Sequence, residues 1–263
     1  MDLHLSGKRA VVTGASRGLG YAVALGLAQE GVDLVINSRN QEKIFDAATT
    51  LSREGGVKVS GIAGDIAEPS FPEQFMKQAV EKLGGLDLLV TNAGGPPPGK
   101  FEDFDDATWQ RAIDLSFLSH VRLIRAALPH LRHSGSPSVL TITSYSVKQP
   151  LPNLILSNSI RAATVGLTKT LALELGHDRI RFNSILPGWT ETERVQELMG
   201  ARAKQKGTTI DAEIAAQAQD SPLGRMGQPQ EFANVAVFLL SPAASYVTGV
   251  MVTVDGGMYK GTL

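Results

Sequence analysis

Seven short runs rich in Val, Ile and Leu recur along the chain, separated by longer segments with apolar residues at helical spacing. The runs are apolar on both faces, which is typical of strands buried inside a parallel sheet. The segments between them include "GYAVALGLAQEG", which ends in glycine as many helices do. This strand–helix alternation predicts an α/β fold, a doubly wound seven-stranded parallel sheet with helices on both faces. The strand candidates are residues 8–14, 32–38, 57–65, 86–94, 138–144, 180–188 and 250–257.

The chain of 263 residues contains no internal repeat or linker, so the pattern predicts a single domain over residues 1–263. One segment interrupts it. Residues 193–220 are polar, helical in pattern and broken by "KGTT". Beyond the carboxyl end of a strand, such an insertion is where a lid over a ligand would lie, so we expect a substrate lid. A plain surface hairpin of two helices fits the same pattern.

Composition narrows the class of protein. Hydrophobic residues make up 43% of the chain and the net charge is -1, which excludes a disordered chain and favours neither nucleic acid nor an anionic membrane as a partner. The absence of cysteine excludes thiolate chemistry and disulfides. The histidines show no metal-ligand spacing, and we assign no metal. Apolar runs end well before the roughly 18 residues of a membrane span. We expect a soluble, cytoplasmic protein.

A glycine-rich turn, "VVTGASRGLG", follows the first strand and opens a helix. Its glycines, Gly14, Gly18 and Gly20, allow a tight backbone turn and a close approach to a pyrophosphate, which then lies at the helix N-terminus. The spacing is G-x3-G-x-G rather than the more general G-x-G-x-x-G. The turn therefore indicates a Rossmann fold with a dinucleotide site, although a turn without a ligand has the same pattern.

Further motifs stand in a fixed order after this turn. They are Asp65 after the third strand, "NAG" at 92–94, Ser144 after the fifth strand, "PGWTET" at 187–192 and "VTGVMVTVDGG" at 247–257. With these motifs the sequence resembles the short-chain dehydrogenases/reductases (SDR), and within them the 3-oxoacyl-acyl-carrier-protein reductase-like branch. The resemblance extends from about Ser6 to Gly257. It implies an NAD(P)-binding domain that transfers a hydride between a nicotinamide and a carbonyl or alcohol.

The end of the second strand bears on the choice of cofactor. A carboxylate there would bind the adenine ribose diol and repel a 2′-phosphate, but the chain has Asn37, Ser38 and Arg39. Arg17 lies in the glycine turn. Two guanidiniums and a hydroxyl suit a 2′-phosphate, so we expect NADP(H) rather than NAD(H). The alternative is that Arg39 is only a solvated loop cation.

The resemblance also implies which residues hold the cofactor. Asp65 would contact the adenine amine, Asn92 and Gly94 would support the ribose, and Thr192 would bind the nicotinamide carboxamide. The full set of expected cofactor residues is Gly14, Ser16, Arg17, Gly18, Leu19, Gly20, Ser38, Arg39, Asp65, Ile66, Asn92, Ala93, Gly94, Arg161, Pro187, Gly188 and Thr192.

The residues that the resemblance implies for proton transfer are largely replaced. The family uses a Ser, a Tyr and a Lys, supported by an Asn. Ser144 matches the family serine, but Ser157 stands at the tyrosine position, Arg161 at the lysine position and Ser116 at the asparagine position. A serine hydroxyl is a poor acid near neutral pH, and a guanidinium does not release its proton. Ser157 and Arg161 are therefore suited to binding rather than to the usual proton transfer.

Two residues after Ser144 offer a replacement donor. Lys148 is favoured, because Arg161 nearby would lower the pKa of its amine. Adjacent residues of an extended strand face opposite sides, so Tyr145 is expected to turn away from Ser144. The alternative for Lys148 is an exposed loop lysine. The expected catalytic residues are Ser144, Lys148, Ser157 and Arg161.

Three functions remain open at this point. The first is an NADP-linked oxidoreductase with a non-standard proton donor, acting on a carbonyl or alcohol, with an anionic compound or a 3-oxoacyl thioester among the candidate substrates. The second is a catalytically silent NADP(H)-binding sensor or structural subunit. The third is an enzyme that uses the bound cofactor for other chemistry. The resemblance further implies a homo-oligomer, with a homotetramer as the expected state.

Overall fold

In a computed structural model, which describes residues 1–262, seven parallel strands form one sheet in the order β3-β2-β1-β4-β5-β6-β7. This confirms the predicted α/β Rossmann class and all seven strand candidates. The crossover between β3 and β4 places β1 and β4 side by side at the centre, where the strand order reverses. The strands are β1 (Arg9–Thr13), β2 (Asp33–Ser38), β3 (Val59–Ala63), β4 (Leu88–Thr91), β5 (Ser138–Ile142), β6 (Arg181–Pro187) and β7 (Met251–Val254).

Nine helices accompany the sheet in the described part of the chain. A five-residue π-helical turn, 114–118, joins the fourth to the fifth. The helices are α1 (Gly18–Gln29), α2 (Gln41–Gly55), α3 (Phe71–Leu83), α4 (Asp106–Ile113), α5 (Ser119–Leu131), α6 (Ile155–Glu174), α7 (Glu193–Lys206), α8 (Ile210–Ala218) and α9 (Pro229–Leu240). None of the described helices is both long enough and apolar enough to cross a membrane.

The alternation of side chains along each strand gives the sheet two hydrophobic cores. Val12 packs into the core with α1, α2 and α9. Its neighbour Val11 packs on the opposite face with α3, α5 and α6. Val11 pairs with Val35 of β2 and with Leu89 of β4, so a fully buried apolar ladder crosses the centre of the sheet. Burial on both faces explains why these strands are apolar throughout.

Segment 193–220 folds as two packed helices, α7 and α8. Thr192 caps the start of α7 by accepting a hydrogen bond from the Val195 amide, and Gly207 ends that helix with a left-handed φ of 69°. The Glu213 carboxylate on α8 accepts hydrogen bonds from Lys206 Nζ at 2.9 Å and from Thr208 Oγ1 at 2.7 Å. These contacts tie the two helices together just beyond the end of β6.

Candidate active site

A cleft of about 620 Å³ runs along the carboxyl edge of the sheet, where the loops after six of the strands meet. In open parallel sheets this edge, beside the reversal of strand order, is where ligands bind. All but one of the residues expected to hold the cofactor line this cleft, the exception being Gly20. The lining residues from that set are Gly14, Ser16, Arg17, Gly18, Leu19, Ser38, Arg39, Asp65, Ile66, Asn92, Ala93, Gly94, Arg161, Pro187, Gly188 and Thr192.

Gly20 lies directly beneath the glycine turn. A Cβ at this position would collide with the carbonyl oxygen of Gly14. The turn itself has left-handed backbone at Gly14, with φ of 61°, and at Gly18, with φ of 62°. Asn92 Nδ2 donates to the Gly14 carbonyl at 3.0 Å and holds the turn against the end of β4. The Arg17 side chain makes no capping hydrogen bond at the start of α1, so the first amides of that helix are free to receive an anion.

The far end of the cleft, after β2, is rich in cations. Arg39 and Lys43 both line it, and neither forms an ion pair within residues 1–262. The Asn37 side chain is buried and donates to the carbonyls of Ile62 and Gly64, at 3.0 and 3.2 Å, so it joins β2 to β3 rather than facing a ligand. Arg17 is partly engaged, because its guanidinium lies 3.0 Å from Glu197. Lys43, which lies on the first turn of α2, was not among the residues predicted from the sequence.

The other end of the cleft contains Ser144, Ser157 and Arg161. Ser144 Oγ accepts a hydrogen bond from the Ser146 amide at 3.1 Å, which leaves its O–H free to donate. Ser157 and Arg161 project from the same face of α6, four residues apart. Arg161 Nη1 donates to the carbonyls of Thr143 and Ile142, at 3.1 and 3.4 Å. Burial, with the nearby charge of Arg194, lowers the pKa of Arg161 to about 10, so the guanidinium stays charged at neutral pH.

Tyr145 and Lys148 are placed differently from the expectation. Residues 145–147 form a 3₁₀ turn rather than an extended strand end, so side chains here do not alternate between two faces. Tyr145 lines the cleft together with Ser144 and is buried. Lys148 is not among the described residues that line the cleft, and its Nζ lies 5.2 Å from the centre of the Tyr259 ring. The geometry therefore brings Tyr145 to the expected chemical end and directs the Lys148 amine elsewhere.

A row of buried polar groups stands behind Arg161. Ser116 Oγ and both ring nitrogens of His120 are buried and have no hydrogen-bond partner within residues 1–262. Thr164 Oγ1 donates to the Ser116 carbonyl at 2.9 Å and holds the π-helical turn against α6. Burial, with the charge of Arg161, lowers the pKa of His120 to about 3, so the imidazole is neutral at pH 7. Ser116, at the position of the supporting asparagine, is not among the described residues lining the cleft.

No cluster of three or more His, Asp or Glu side chains within residues 1–262 has a geometry that could hold a metal ion. The polar groups that line the cleft include backbone amides, hydroxyls and guanidiniums, and apolar side chains such as Leu19 and Val195 lie among them. Such polar groups bind phosphates and polar organic ligands through hydrogen bonds and charge. The fold and the position of the cleft together define a Rossmann-type α/β protein.

Comparison with known proteins narrows this class to one family. A family model described as Enoyl-(Acyl carrier protein) reductase matches residues 14–259. Dehydrogenase/reductase SDR family member 4 of Caenorhabditis elegans is 34% identical over 254 residues, which cover 96% of this chain and 95% of the relative. The 7alpha-hydroxysteroid dehydrogenase of Escherichia coli K12 is 34% identical over 256 residues, covering 97% and 96%. The chain belongs to the short-chain dehydrogenase/reductase family.

Solved structures show the same architecture. L-Sorbose reductase from Gluconobacter frateurii, complexed with NADPH and L-sorbose, superposes with a TM-score of 0.95 at 35% identity, covering 99% of this chain and all of the other. An actinorhodin polyketide ketoreductase with NADPH gives a TM-score of 0.92 at 28% identity, covering 97% and 98%. The chain is thus an SDR-type α/β protein, similar along its length to reductases that have been crystallised with NADPH.

Proposed function

We propose that this protein is an NADP(H)-dependent oxidoreductase that interconverts a carbonyl and an alcohol. The observation that carries the proposal is the continuity of one cleft, which joins the glycine turn at one end to Ser144 and Arg161 at the other. The tight packing under Gly20 and the uncapped start of α1 fit a pyrophosphate. When bound, NADPH would supply the hydride that reduces a carbonyl carbon. A 3-oxoacyl thioester is one candidate substrate.

The preference for NADP(H) rests on the cations after β2. Arg39 and Lys43 line the cleft where a 2′-phosphate would lie, and no carboxylate stands at the end of β2 or directly after it to repel the phosphate. Arginine binds phosphate through paired, charge-assisted hydrogen bonds, and a free ribose diol has no negative charge to match it. The solved relatives crystallised with NADPH are consistent with this assignment.

The proton donor is the unusual part of the proposal. Ser157 and Arg161 stand where the family's tyrosine and lysine belong, and Ser116 stands in place of the asparagine. We assign the donor role to Tyr145 rather than to Lys148, because Tyr145 lines the cleft beside Ser144 and Lys148 does not. Ser144, whose O–H is free, orients the carbonyl oxygen, and Ser157 and Arg161 bind cofactor or substrate. Tyr145 would give its proton to that oxygen as negative charge develops on it.

We further propose that α7 and α8 are a lid over the substrate. Helix α7 touches both walls of the cleft near its start. Glu197 forms an ion pair of 3.0 Å with Arg17 of the glycine turn. Arg194 Nη2 donates to the Pro96 carbonyl of the opposite loop at 3.2 Å. Both contacts are partly exposed, so they are easily broken when the helix moves.

A homotetramer is the proposed assembly. Leu173 of α6 is 74% exposed, and Phe101, just before α4, is 69% exposed. Exposed large apolar side chains on or beside the helices that cover one face of the sheet offer a surface to a second copy. Size-exclusion chromatography with light scattering would measure the mass, and a monomer at micromolar concentration would contradict this assembly.

The second candidate function is a silent NADP(H)-binding protein. Ser157 and Arg161 favour it, since neither is suited to release a proton at neutral pH. The two functions are separated by NADPH oxidation with a panel of ketones, aldehydes and 3-oxoacyl thioesters, after NADPH binding has been measured on the same sample. Turnover with any of these carbonyls supports the oxidoreductase. Tight binding without turnover on the whole panel supports the sensor or structural role.

A further inference from the structure

Arg161 carries its positive charge in the interior of the protein. Its residue is only 7% exposed, and it forms no ion pair with any carboxylate within residues 1–262. Two hydrogen bonds from Nη1 to backbone carbonyls are the only ones it makes to the described chain. Burying a charge is costly unless an opposite charge accompanies it. The remaining N–H donors of this guanidinium have no acceptor among the described residues.

A second guanidinium, that of Arg194, lies near the first. Arg194 is on the first turn of α7, lines the same cleft, and its charge contributes to the lowered pKa of Arg161. Its own anionic neighbour is weak, since Glu197 lies 3.7 Å away and is exposed. Glu197 is closer to Arg17, at 3.0 Å. Two positive charges therefore face one end of the cleft with little compensation.

The carboxylates of the cleft lie away from this pair. Asp65 follows β3 at the opposite end. The Oε2 atom of Glu193 lies beside the glycine turn, 3.8 Å from where a Cβ on Gly18 would stand. No other acidic residue within residues 1–262 lines the cleft. Within residues 1–262 the exposed Glu197 is thus the only carboxylate that pairs with Arg194, and none pairs with Arg161.

We propose that Arg161 and Arg194 bind a carboxylate or phosphate group of the substrate. This inference rests on the proposed function and names the substrate class of the same site, a carbonyl or alcohol compound with an attached anionic group. A bound cofactor would not neutralise the pair, because its pyrophosphate would lie at the glycine turn and its ribose hydroxyls are neutral. A forked guanidinium suits a planar carboxylate or a phosphate better than a point charge does.

The site also fixes where the reacting carbon would lie. Arg161 is one helical turn from Ser157, and its Nη1 is bonded to the carbonyl of Thr143, the residue before Ser144. An anion on Arg161 therefore places the neighbouring carbons of a small substrate beside the Ser144 hydroxyl. Compounds with the carbonyl a few bonds from the charge fit this spacing best.

Calorimetric titration of the NADP⁺-bound protein with two matched pairs of probes tests the proposal. The pairs are acetoacetate with acetoacetamide, and dihydroxyacetone phosphate with dihydroxyacetone. The anion of at least one pair is expected to bind 10-fold or more tightly than its neutral partner. Arg194→Gln should remove most of that preference while leaving NADP⁺ affinity within about twofold. Arg161→Gln should abolish the preference, and Arg161→Lys should restore part of it. Arg53→Gln, on the exposed face of α2, is the matched control and should change neither.

Two results would overturn the proposal. One is equal affinity for anion and neutral partner in both pairs, including the absence of measurable binding. The other is an unchanged preference in Arg194→Gln. The probe pair in which the anion binds more tightly also identifies the recognised group as a carboxylate or a phosphate. NADP⁺ binding is measured first, and the same titrations are run on the cofactor-free protein. A failure of the cofactor to bind is therefore distinguishable from a failure of the anion site.

Discussion

The indole N–H of Trp189 donates a hydrogen bond to the phenol oxygen of Tyr145 over 3.2 Å, inside the cleft. The two residues lie 44 positions apart, one after β5 and the other after β6. Because the indole only donates, the phenol keeps its own proton available for a ligand. Burial raises the pKa of Tyr145 above its usual value, so the phenol is protonated at neutral pH. A protonated hydroxyl that lines the cleft is what proton donation to a developing alkoxide needs first.

Replacement of Tyr145 tests this role. Tyr145→Phe keeps the ring in the core cluster and removes only the hydroxyl, so we expect kcat for NADPH-dependent carbonyl reduction to fall about 100-fold or more. NADPH affinity, measured by fluorescence titration, should stay within about twofold. Lys148→Met is the matched comparison and should retain most activity. Activity that survives in Tyr145→Phe and is lost in Lys148→Met would return the donor role to the lysine.

Arg39 is expected to select the cofactor. Arg39→Gln removes a guanidinium that lines the cleft and has no ion pair within residues 1–262, so the Kd for NADPH should rise about 10-fold or more. The Kd for NADH, which lacks the 2′-phosphate, should change little. Fluorescence titration with both cofactors checks the difference, and Lys77→Gln on the exposed face of α3 serves as control. Equal weakening of both cofactors would show that Arg39 does not contact a 2′-phosphate.

Gly20 is expected to be irreplaceable. In Gly20→Ala the new methyl group meets the Gly14 carbonyl oxygen, so the glycine turn has to shift. We expect NADPH affinity to fall at least 10-fold and the free energy of unfolding to fall by about 1–3 kcal/mol. Gly135→Ala is the matched control, since a methyl group at this loop position meets open space. It should change the free energy of unfolding by no more than about 1 kcal/mol. Urea unfolding measures both variants, and an unchanged NADPH affinity in Gly20→Ala would contradict the role given to the turn.

His120 should make the protein sensitive to acid. Its pKa is about 3 in the folded protein, because of burial and the Arg161 charge, compared with 6.5 for an unperturbed histidine. Between pH 3 and 6.5 the unfolded chain binds a proton at His120 that the folded protein does not bind. The stabilisation that neutral His120 contributes is therefore complete above pH 6.5 and decreases as the pH falls toward 3. The free energy of unfolding is expected to fall by about 1.4 kcal/mol for each pH unit below 6.5. Urea unfolding between pH 7.5 and 5 measures it, and His120→Gln should show a shallower dependence. An equal pH dependence in both proteins would contradict the assignment.

The sequence predicted the strands and the glycine turn, because both depend on residues that are neighbours in the chain. Apolar strands bounded by glycine, such as the run around Val11, can adopt few other structures, and all seven strand positions were confirmed. The glycine-rich motif predicted a turn whose backbone segments pack closely. The structure agrees, because a Cβ on Gly20 would collide with the Gly14 carbonyl oxygen. The roles of the lining residues in cofactor binding and in catalysis remain predictions.

Non-local placement could not be predicted from the sequence. Lys148 faces the ring of Tyr259, a residue more than a hundred positions away that no local pattern connects to it. Tyr145 turns into the cleft because residues 145–147 form a 3₁₀ turn, whereas the pattern favoured an extended strand end. Arg194 donates to the Pro96 carbonyl across the cleft because α7 begins at Glu193, at the edge of the cleft. Each of these depends on how distant segments meet.

We predict that the protein binds NADP(H) and still reduces carbonyls with a relocated proton donor. The most direct measurement is NADPH oxidation, followed by absorbance, by the purified wild-type protein, Tyr145→Phe and Ser157→Ala, each first shown to bind NADPH. The panel includes acetoacetate, dihydroxyacetone phosphate, sugars, and 3-oxoacyl thioesters. We predict turnover that Ser157→Ala retains and Tyr145→Phe loses. NADPH bound tightly by all three proteins, with no oxidation by any carbonyl, would contradict the account and identify a silent cofactor-binding protein.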